Sequence, residues 1–525
     1  MIAASLLAHD EREKWTHAFG DHLAERLRWL AGYVNEHRRQ PAQLKPYADS
    51  LITLIRQASP YPSLAQPVVN LILALHPLPE RWGYWTAWEE VLQTGADIAA
   101  SHAWQQQQAE LLAYRAQLLW SCYRCEKAVT VGRRALSVAE AAGAVRPLGI
   151  AGGALVNSSG VLGQVAAAEE LLADLLLKTA VLRPTAIEAD YDAAMLALEN
   201  SQALLLRQQG RQNEAIAATQ RMVQRVAGKT HISPYQLGDI YVEQSTMLWA
   251  GGHYQTAVHA LQTAIALFEQ VEDTAAAVFA RGNLGLVYWS MARYDLAEQG
   301  MQQCAAYCEQ VNARWRLVNE IGNLAVVYLG QGKLRRALHY AHRHLDLAQR
   351  TGHTREVSRA KLNRGAILVY LGEYETARQE LEESLARVTG EGRQELIASV
   401  QLDLSLCYAG LGQHEAAYDM AQQAYTRAME MSFPGLSIIA LRTLALHGPP
   451  EGCIQHLQQA LSLARQHGRL SDEAGCLFSL ARLATDKKEQ ARCWQQATQL
   501  LQKMGATAWL DGRSPDNPPF LALML

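Results

Sequence analysis

The chain of 525 residues carries a net charge of −3, and 49% of its residues are hydrophobic. This balance, with a pI near 6.6, excludes a global basic field that would hold nucleic acid or an anionic membrane. No apolar run is long enough for a membrane-spanning helix, and the N-terminus lacks the basic start of a secretory signal. Eight scattered cysteines are typical of a reducing compartment, so we expect a cytoplasmic protein with no membrane partner.

The first 61 residues precede the regular part of the chain and predict a few helices. Three tryptophans, Trp82, Trp85 and Trp88, follow at a spacing of three residues. Such a row can form an exposed anchor for a partner, or it can be sealed by the cap that a terminal repeat requires. We expect residues 1–61 to form a helical cap over this row.

The middle of the chain repeats itself every 40 residues, as RGNLGLVYWSMARYDLAE, IGNLAVVYLGQGKLRRAL, KLNRGAILVYLGEYETAR and QLDLSLCYAGLGQHEAAY show over residues 281–298, 321–338, 361–378 and 401–418. In each unit, apolar residues recur with helical spacing on both sides of a short break, which predicts two amphipathic helices. A period of about 20–50 residues is typical of a solenoid. The register extends in both directions and predicts about eleven helical hairpins over residues 62–505.

Small residues recur at fixed places in these units. Glycine occupies the break between the two helices at Gly332, Gly372 and Gly412, where a positive φ angle can end one helix and reverse the chain. Alanine opens the second helix and allows a close approach to the first. Between residues 140 and 190 the pattern is least regular, and we expect the glycines there to loosen the helices.

This pattern resembles the tetratricopeptide repeat family in its longer variety. The lines RWGYWTAWEEVLQTGADIAA (81–100) and ARCWQQATQLLQKMGATAWL (491–510) look like the first and last units of the repeat sensor region in bacterial signal-transducing ATPases of the STAND type. The resemblance implies an all-α, right-handed superhelical α-solenoid that binds a protein or peptide. It also implies a bacterial regulatory or defence context, in which a separately encoded effector performs the chemistry, because no nucleotide-binding domain precedes the repeats.

No catalytic motif of a hydrolase, a zinc protease or a dinucleotide-binding enzyme is present, so we expect no enzymatic activity, no cofactor and no metal. The segment Gly228–Thr230 has the Gly-Lys-Thr end of a phosphate-binding loop but not its upstream glycine, and we interpret it as a loop between repeats. The cysteines are expected to be structural. His339, His342 and His344 are expected to lie on a solvated helix face.

The candidate binding site is an asparagine ladder, defined by Asn283, Asn323 and Asn363 with Asp403 in the next unit. The four residues are 40 apart, on the first helix of consecutive units, and first helices line the concave face in the resembled family. An amide offers one acceptor and two donors, so a column of amides can clamp the backbone of an extended peptide, as matching asparagines do in that family. The alternative is that each asparagine bonds the backbone of a neighbouring helix.

The same face is expected to contribute further peptide-binding residues. These are Glu243, Trp249, Trp289, Asn319, Arg359 and Tyr370. Two alternatives stay open: a regulatory solenoid that senses a small molecule in a compact polar pocket, and a nucleic-acid-binding repeat protein, which the charge balance disfavours.

The C-terminal tail, residues 506–525, contains a proline-rich break and an apolar end. The break cannot be helical throughout. The apolar end, Phe520–Leu525, is expected either to fold back on the last repeat or to dock on a partner.

Overall fold

The structure is a computed structural model, and it describes residues 9–37, 41–351, 354–390, 394–431, 434–448, 452–517 and 519. Helix accounts for 85% of the chain. The described residues contain no β-strand, only one isolated bridge between Ser514 and Asn517. The predicted all-α repeat fold is therefore confirmed.

The N-terminal segment is helical over the residues that the structure describes. Its helices are α1 (His9–His37), α2 (Pro41–Leu44), α3 (Ala48–Ala58), α4 (Ala65–Leu75) and α5 (Leu78–Arg81), with short 3-10 turns at Lys45–Tyr47 and Pro62–Leu64. Helix α3 packs on α4 and on α6, the helix that begins at Trp85. Trp82 and Trp88 are buried in the same apolar core as the leucines of α1 and α3, so neither forms an exposed anchor.

From α6 onward, most helices have 17 residues and most connections have three. The helices are α6 (Trp85–Ser101), α7 (Gln105–Ser121), α8 (Cys125–Ala141), α9 (Val145–Val161), α10 (Val165–Leu182), α11 (Glu188–Gln208), α12 (Gln212–Val226), α13 (Pro234–Ala250), α14 (Tyr254–Gln270), α15 (Thr274–Ser290), α16 (Tyr294–Gln310), α17 (Arg314–Gly330), α18 (Leu334–Arg350), α19 (Thr354–Leu371), α20 (Tyr374–Gly390), α21 (Gln394–Gly410), α22 (His414–Glu430), α23 (Pro434–His447), α24 (Cys453–Gln466), α25 (Leu470–Leu483) and α26 (Lys487–Met504).

The helices pair in sequence, and the alanine that opens the second helix explains why. The side chains of Ala128, Ala257, Ala337 and Ala417 are fully buried, because each lies where the second helix crosses the first. The turn before the second helix needs one residue with a positive φ angle. Glycine supplies it at most turns, whereas Ala292 adopts φ 54° at the equivalent place, a conformation that costs energy for a residue with a side chain.

Helix α9 corrects the expectation for residues 140–190. It is a continuous helix, Val145–Val161, and 14 of its 17 residues are buried. A Cβ atom on Gly149 would lie 2.3 Å from the Cα atom of Ala194 in α11. The glycines of α9 therefore allow two helix backbones to touch, and they do not loosen the helix.

The chain divides into two compact units, unit 1 (residues 1–280) and unit 2 (residues 281–525), and the boundary lies within α15. In unit 1, Arg81 near the beginning of the repeats contacts residues near the end of the unit. Its Nη1 atom donates to Oδ2 of Asp273 at 3.1 Å, and its guanidinium carbon lies 3.0 Å from the centre of the Tyr235 ring. These contacts join the beginning of the repeats in unit 1 to the end of the unit.

In unit 2, too, early and late helices are in contact. The hydroxyl of Tyr294, at the start of α16, is buried and hydrogen-bonded to Ser471 in α25. After α26, a 3-10 turn at Thr507–Leu510 carries Trp509 to the turn between α17 and α18. There the indole Nε1 atom donates to the carbonyl oxygen of Gly330 at 3.0 Å. The segment after α26 thus folds back on early helices of unit 2, whereas the apolar end Phe520–Leu525, which the expectation concerned, lies outside the described residues.

Candidate functional site

The first position of the asparagine ladder is held by an arginine from the next first helix. Asn283 lies on α15 and is partly exposed. Its Oδ1 atom accepts a hydrogen bond of 2.7 Å from Nη2 of Arg316 on α17. The Nε atom of the same arginine lies 2.9 Å from the carboxylate of Glu320, one helical turn further along α17. The guanidinium therefore bridges an amide on the previous helix and an acid on its own helix.

At the second position of the ladder an arginine again bonds the asparagine, but its acid stands at a different spacing on the arginine's helix. Nη1 of Arg359 on α19 donates to Oδ1 of Asn323 at 3.0 Å, and Nη2 donates to the main-chain oxygen of Asn319 at 3.4 Å. Its Nε atom donates to Oε2 of Glu356 at 2.8 Å, three residues earlier on α19. Again one guanidinium joins a ladder amide to an acid on the arginine's own helix.

The pKa values of the two acids, Glu320 and Glu356, are shifted in opposite directions. Glu320 is 1% exposed, and burial raises its pKa although Arg316 opposes the shift. Burial also raises the pKa of Glu356, but hydrogen bonds from His344 and Arg359 outweigh it and bring that pKa to about 2. His344 is fully buried with its Nε2 atom 3.0 Å from Glu356, so the expectation of a solvated face was wrong for this histidine.

The third and fourth positions of the ladder differ from the first two. The Nδ2 atom of Asn363 is buried and has no hydrogen-bond partner. Asp403 is 5% exposed, and the structure gives it neither an ion pair nor a hydrogen bond within the described ranges. Burial alone raises the pKa of its carboxyl group to about 7. The ladder thus consists of two arginine-held amides followed by an amide and an acid without such a partner.

The other predicted residues of unit 2 have mixed surroundings. The indole nitrogen of Trp289 is buried without a hydrogen-bond partner. The ring of Tyr370 meets the ring of Trp509 edge to face, with 5.9 Å between centroids, so part of this tyrosine is covered by the C-terminal segment. Asn319 contributes its main-chain oxygen to Arg359.

Two of the predicted residues, Glu243 and Trp249, belong to unit 1. Glu243 lies on α13 with a pKa that burial raises, while Arg207 and a hydrogen bond from Asn200 oppose the shift. Trp249 lies near the end of the same helix and is partly exposed. A binding role for either residue remains a prediction.

The arginines and acids of the network were largely missed from the sequence. Arg316 with Glu320 and Glu356 with Arg359 have the (i, i+4) and (i, i+3) spacings of helix ion pairs, which was the available signal. The spacing could not reveal that each arginine also reaches the asparagine of the preceding first helix, because the two residues are 33 and 36 apart.

The weaker motifs have ordinary structural roles. Lys229 of the Gly-Lys-Thr segment donates to Asp192 at 2.6 Å, which ties the loop after α12 to α11. No disulfide joins the cysteines, and no group of three or more His, Cys, Asp or Glu side chains in the described residues is arranged to hold a metal ion. No helix that the structure describes combines the length and the apolar character needed to cross a bilayer.

Residues 356–430 match the model of the tetratricopeptide repeat, whereas no curated protein matches the chain in sequence. Among solved structures, a Rap protein complexed with competence and sporulation factor is 14% identical, with a TM-score of 0.52, over 65% of this chain and 94% of that one. The quorum sensor NprR from B. thuringiensis is 14% identical over 65% and 99%, with a TM-score of 0.45. A STAND protein with a tetratricopeptide repeat sensor from Pyrococcus horikoshii is 15% identical over 65% and 53%, with a TM-score of 0.39.

Proposed function

The chain is a helical repeat protein that carries tetratricopeptide repeats, and from this premise we propose that it is a peptide-binding regulatory scaffold of a bacterial system. The binding site is the ladder face of unit 2, formed by the first helices α15, α17, α19 and α21. The Rap structure, which has the same kind of fold and was solved in complex with competence and sporulation factor, supports this choice.

The observation that carries the proposal is the orientation of the ladder amides. Arg316 and Arg359 each occupy the Oδ1 atom of an asparagine, so the Nδ2 atoms of Asn283 and Asn323 remain as donors for a partner's carbonyl groups. Side chains held in this way lose little conformational entropy on binding, which favours affinity. A row of fixed donors at one repeat's spacing suits an extended peptide backbone.

The neighbouring side chains suit a peptide more than a small molecule. Trp289 on α15 and Tyr370 on α19 stand six and seven residues after the ladder asparagines Asn283 and Asn363, and aromatic residues are typical anchors in peptide recognition. A cavity of about 280 Å³ lies elsewhere, between α10, α11 and α12 in unit 1. Its volume is just below the range of about 300–1,000 Å³ typical of ligand pockets, so the ladder is the better candidate.

The partner peptide is expected to act through a second protein. A repeat scaffold acts by binding other molecules and by changing which of them it holds. We therefore propose that peptide binding at the ladder alters the affinity of this protein for a separately encoded effector in the cytoplasm.

The test is a selection from a random hexapeptide library on the immobilised full-length chain, followed by fluorescence anisotropy with the selected peptides. The triple variant Asn283→Ala/Asn323→Ala/Asn363→Ala should weaken binding by about two orders of magnitude, if each lost hydrogen bond contributes about 0.5–1.5 kcal/mol. Asn213→Ala is the matched control, because Asn213 is exposed on α12 in unit 1. Selection of no peptide, or equal binding by the folded triple variant, would refute the proposal.

A further inference from the structure

Helix α10 in unit 1 leaves much of its apolar surface uncovered. It packs against α9 and α11, yet only four of its 18 residues are buried. Leu177 and Val181 are 70% and 77% exposed. Ten large apolar side chains are exposed in the described residues, and five of them lie between residues 161 and 187. Single exposed apolar residues are common on protein surfaces, whereas a cluster of them indicates an interaction site.

Five exposed residues of α10 follow one another in alternating steps of four and three, which places them on one line along the helix. We call this line the α10 face, and its members are Ala166, Glu170, Ala173, Leu177 and Ala180. Val181 flanks the face on one side and is exposed as well. On the other side, Glu169 and Leu176 border the cavity between α10, α11 and α12. A second helix can therefore approach the face without meeting a neighbouring helix of this unit.

We propose that the α10 face binds the same face of a second copy of this chain, with the two α10 helices antiparallel about a two-fold axis. The inference concerns unit 1 and does not depend on the proposed peptide binding by unit 2. A two-fold interface must be complementary to itself, and this face is. In the antiparallel pair, Leu177 lies opposite Ala173 of the second copy, and Val181 lies opposite Ala167. Each large side chain thus meets a small one, as close packing requires.

The charges of α10 favour the antiparallel orientation and a second copy as partner. Glu169 and Glu170 lie in the first half of the helix, and Arg183 directly follows its end. Antiparallel pairing brings Glu169 beside Arg183 of the second copy, whereas parallel pairing would bring like charges together. The two copies of Asp174 also approach each other, but each lies 2.7 Å from Lys178 of its own helix. Opposite charges that flank a helix pair determine its orientation and its partner.

The length of the α10 face indicates how strong the dimer should be. The 18 residues of the helix span about 27 Å. A pair of such helices lies at the lower end of the range for specific interfaces, which bury about 1,200–2,000 Å² in total. We therefore expect a reversible dimer that dissociates on dilution, and not an obligate one.

Sedimentation velocity of the full-length chain over a range of concentrations tests the proposal. The wild type should form a dimer as its concentration rises. Leu177→Glu/Val181→Glu should raise the dissociation constant by about a hundredfold or more, because four apolar side chains leave the interface of each dimer. Ile454→Glu, at an isoleucine of α24 that is 53% exposed, is the matched control in unit 2. A dimer that the folded double variant leaves intact would overturn the proposal.

A charge exchange tests the orientation and removes no apolar contact. Glu169→Arg and Arg183→Glu should each weaken the dimer by about threefold to tenfold at low ionic strength, since exposed ion pairs are individually weak. The chain with both substitutions should recover the wild-type dissociation constant. A mixture of the two single variants should form mixed dimers in preference to dimers of either variant alone. Failure of both recovery and mixed pairing would contradict the antiparallel dimer.

Other occupants of the α10 face would give different results. If the face bound a helix of another protein, the wild type would stay monomeric at every concentration, which would overturn the proposal. If it bound a lipid surface, a monomeric chain would float with vesicles of phosphatidylcholine and phosphatidylglycerol, and Leu177→Glu/Val181→Glu would not. That outcome would likewise replace the second copy as the occupant.

Discussion

The indole of Trp509 donates a hydrogen bond to the carbonyl oxygen of Gly330, which lies 179 residues earlier in the chain. The same ring meets Tyr370 edge to face, and it lies so close to Gly332 that a Cβ atom there would be 2.8 Å from the indole. The segment after α26 therefore joins the last helices of unit 2 to the turns of its early helices.

The first prediction concerns this closing contact. Trp509→Ala should lower the free energy of unfolding of unit 2 by about 1–3 kcal/mol, less than a fully buried aromatic residue, because the side chain is partly exposed. Trp509→Phe should retain the ring contact and lose about 1 kcal/mol for the hydrogen bond. Hydrogen exchange at the α17–α18 turn is the direct measurement. Trp29→Ala, at a tryptophan that is 60% exposed in α1, serves as control, and equal effects of Trp509→Ala and Trp29→Ala would contradict the prediction.

The second prediction compares the effects on stability of replacing two glycines that lie within helices. Gly149→Ala should destabilise unit 1 by about 1–3 kcal/mol, because the new methyl group collides with the backbone of α11 and overpacking has this typical cost. Gly32→Ala should be neutral or stabilising by up to about 1 kcal/mol, since no atom lies within 4 Å of its added Cβ. Urea denaturation of both variants provides the comparison, and a stable Gly149→Ala variant would show that α9 and α11 are not in close contact.

The third prediction compares how much each ladder asparagine contributes to the stability of the fold. Asn283→Ala and Asn323→Ala should each lower the free energy of unfolding by about 1.5–3 kcal/mol, the range for hydrogen bonds to charged groups. Asn363→Ala should cost less than about 1 kcal/mol, because its amide nitrogen has no partner to lose. Chemical denaturation of the three single variants is sufficient. Equal losses at all three positions would show that Asn363 also has a structural partner.

The fourth prediction concerns Glu356, whose pKa of about 2 is below the value of about 4.3 expected in the unfolded chain. Ionised Glu356 therefore stabilises the fold above about pH 4.3, and this contribution is lost as the pH falls toward 2. Relative to Glu356→Gln, the wild type should gain roughly 3 kcal/mol at neutral pH, and the gain should shrink as the pH falls from about 4.3 toward about 2. Glu383→Gln is the exposed control, and a difference independent of pH would contradict the assignment.

The fifth prediction concerns Asp403 and has the opposite sign. Burial raises the pKa of this carboxyl group to about 7, whereas an unfolded aspartate titrates near about 3.9. The protonated form favours the fold, so stability is highest below about pH 4 and is lost as the pH rises toward 7. Asp403→Asn should therefore become more stable than the wild type as the pH rises through this window. Thermal melting of both proteins across the window tests it, and parallel curves would refute it.

The sequence predicted the architecture because the repeat is a local pattern. The helix breaks at Gly332 and Gly412 and the buried alanines depend on residues a few positions apart, and these were identified correctly. The close contact of Gly149 with Ala194 depends on which helices become neighbours across 45 residues. A glycine that loosens a helix and a glycine that allows backbones to touch have the same sequence signature, which is why the expectation for α9 was wrong.

The helices that carry the ladder asparagines were predictable, but the contacts of their side chains were not. The spacing of Asn283 and Asn323 placed both on first helices of consecutive pairs, as the structure shows. That spacing could not indicate that Arg316 and Arg359 occupy the amide oxygens, because the sequence does not say in which direction a long side chain extends. His344 was misjudged for a related reason, since its partner Glu356 lies on the following helix, across an inter-repeat turn.

The bond between Trp509 and Gly330 also imposes an order on biosynthesis. A ribosome adds about 5–20 residues per second, so the α17–α18 turn emerges roughly 10–40 s before the tryptophan that covers it. During that interval the early helices of unit 2 are paired with one another but expose the edge that the final segment later covers. A chain that stops before Trp509 therefore lacks the side chain that covers this turn.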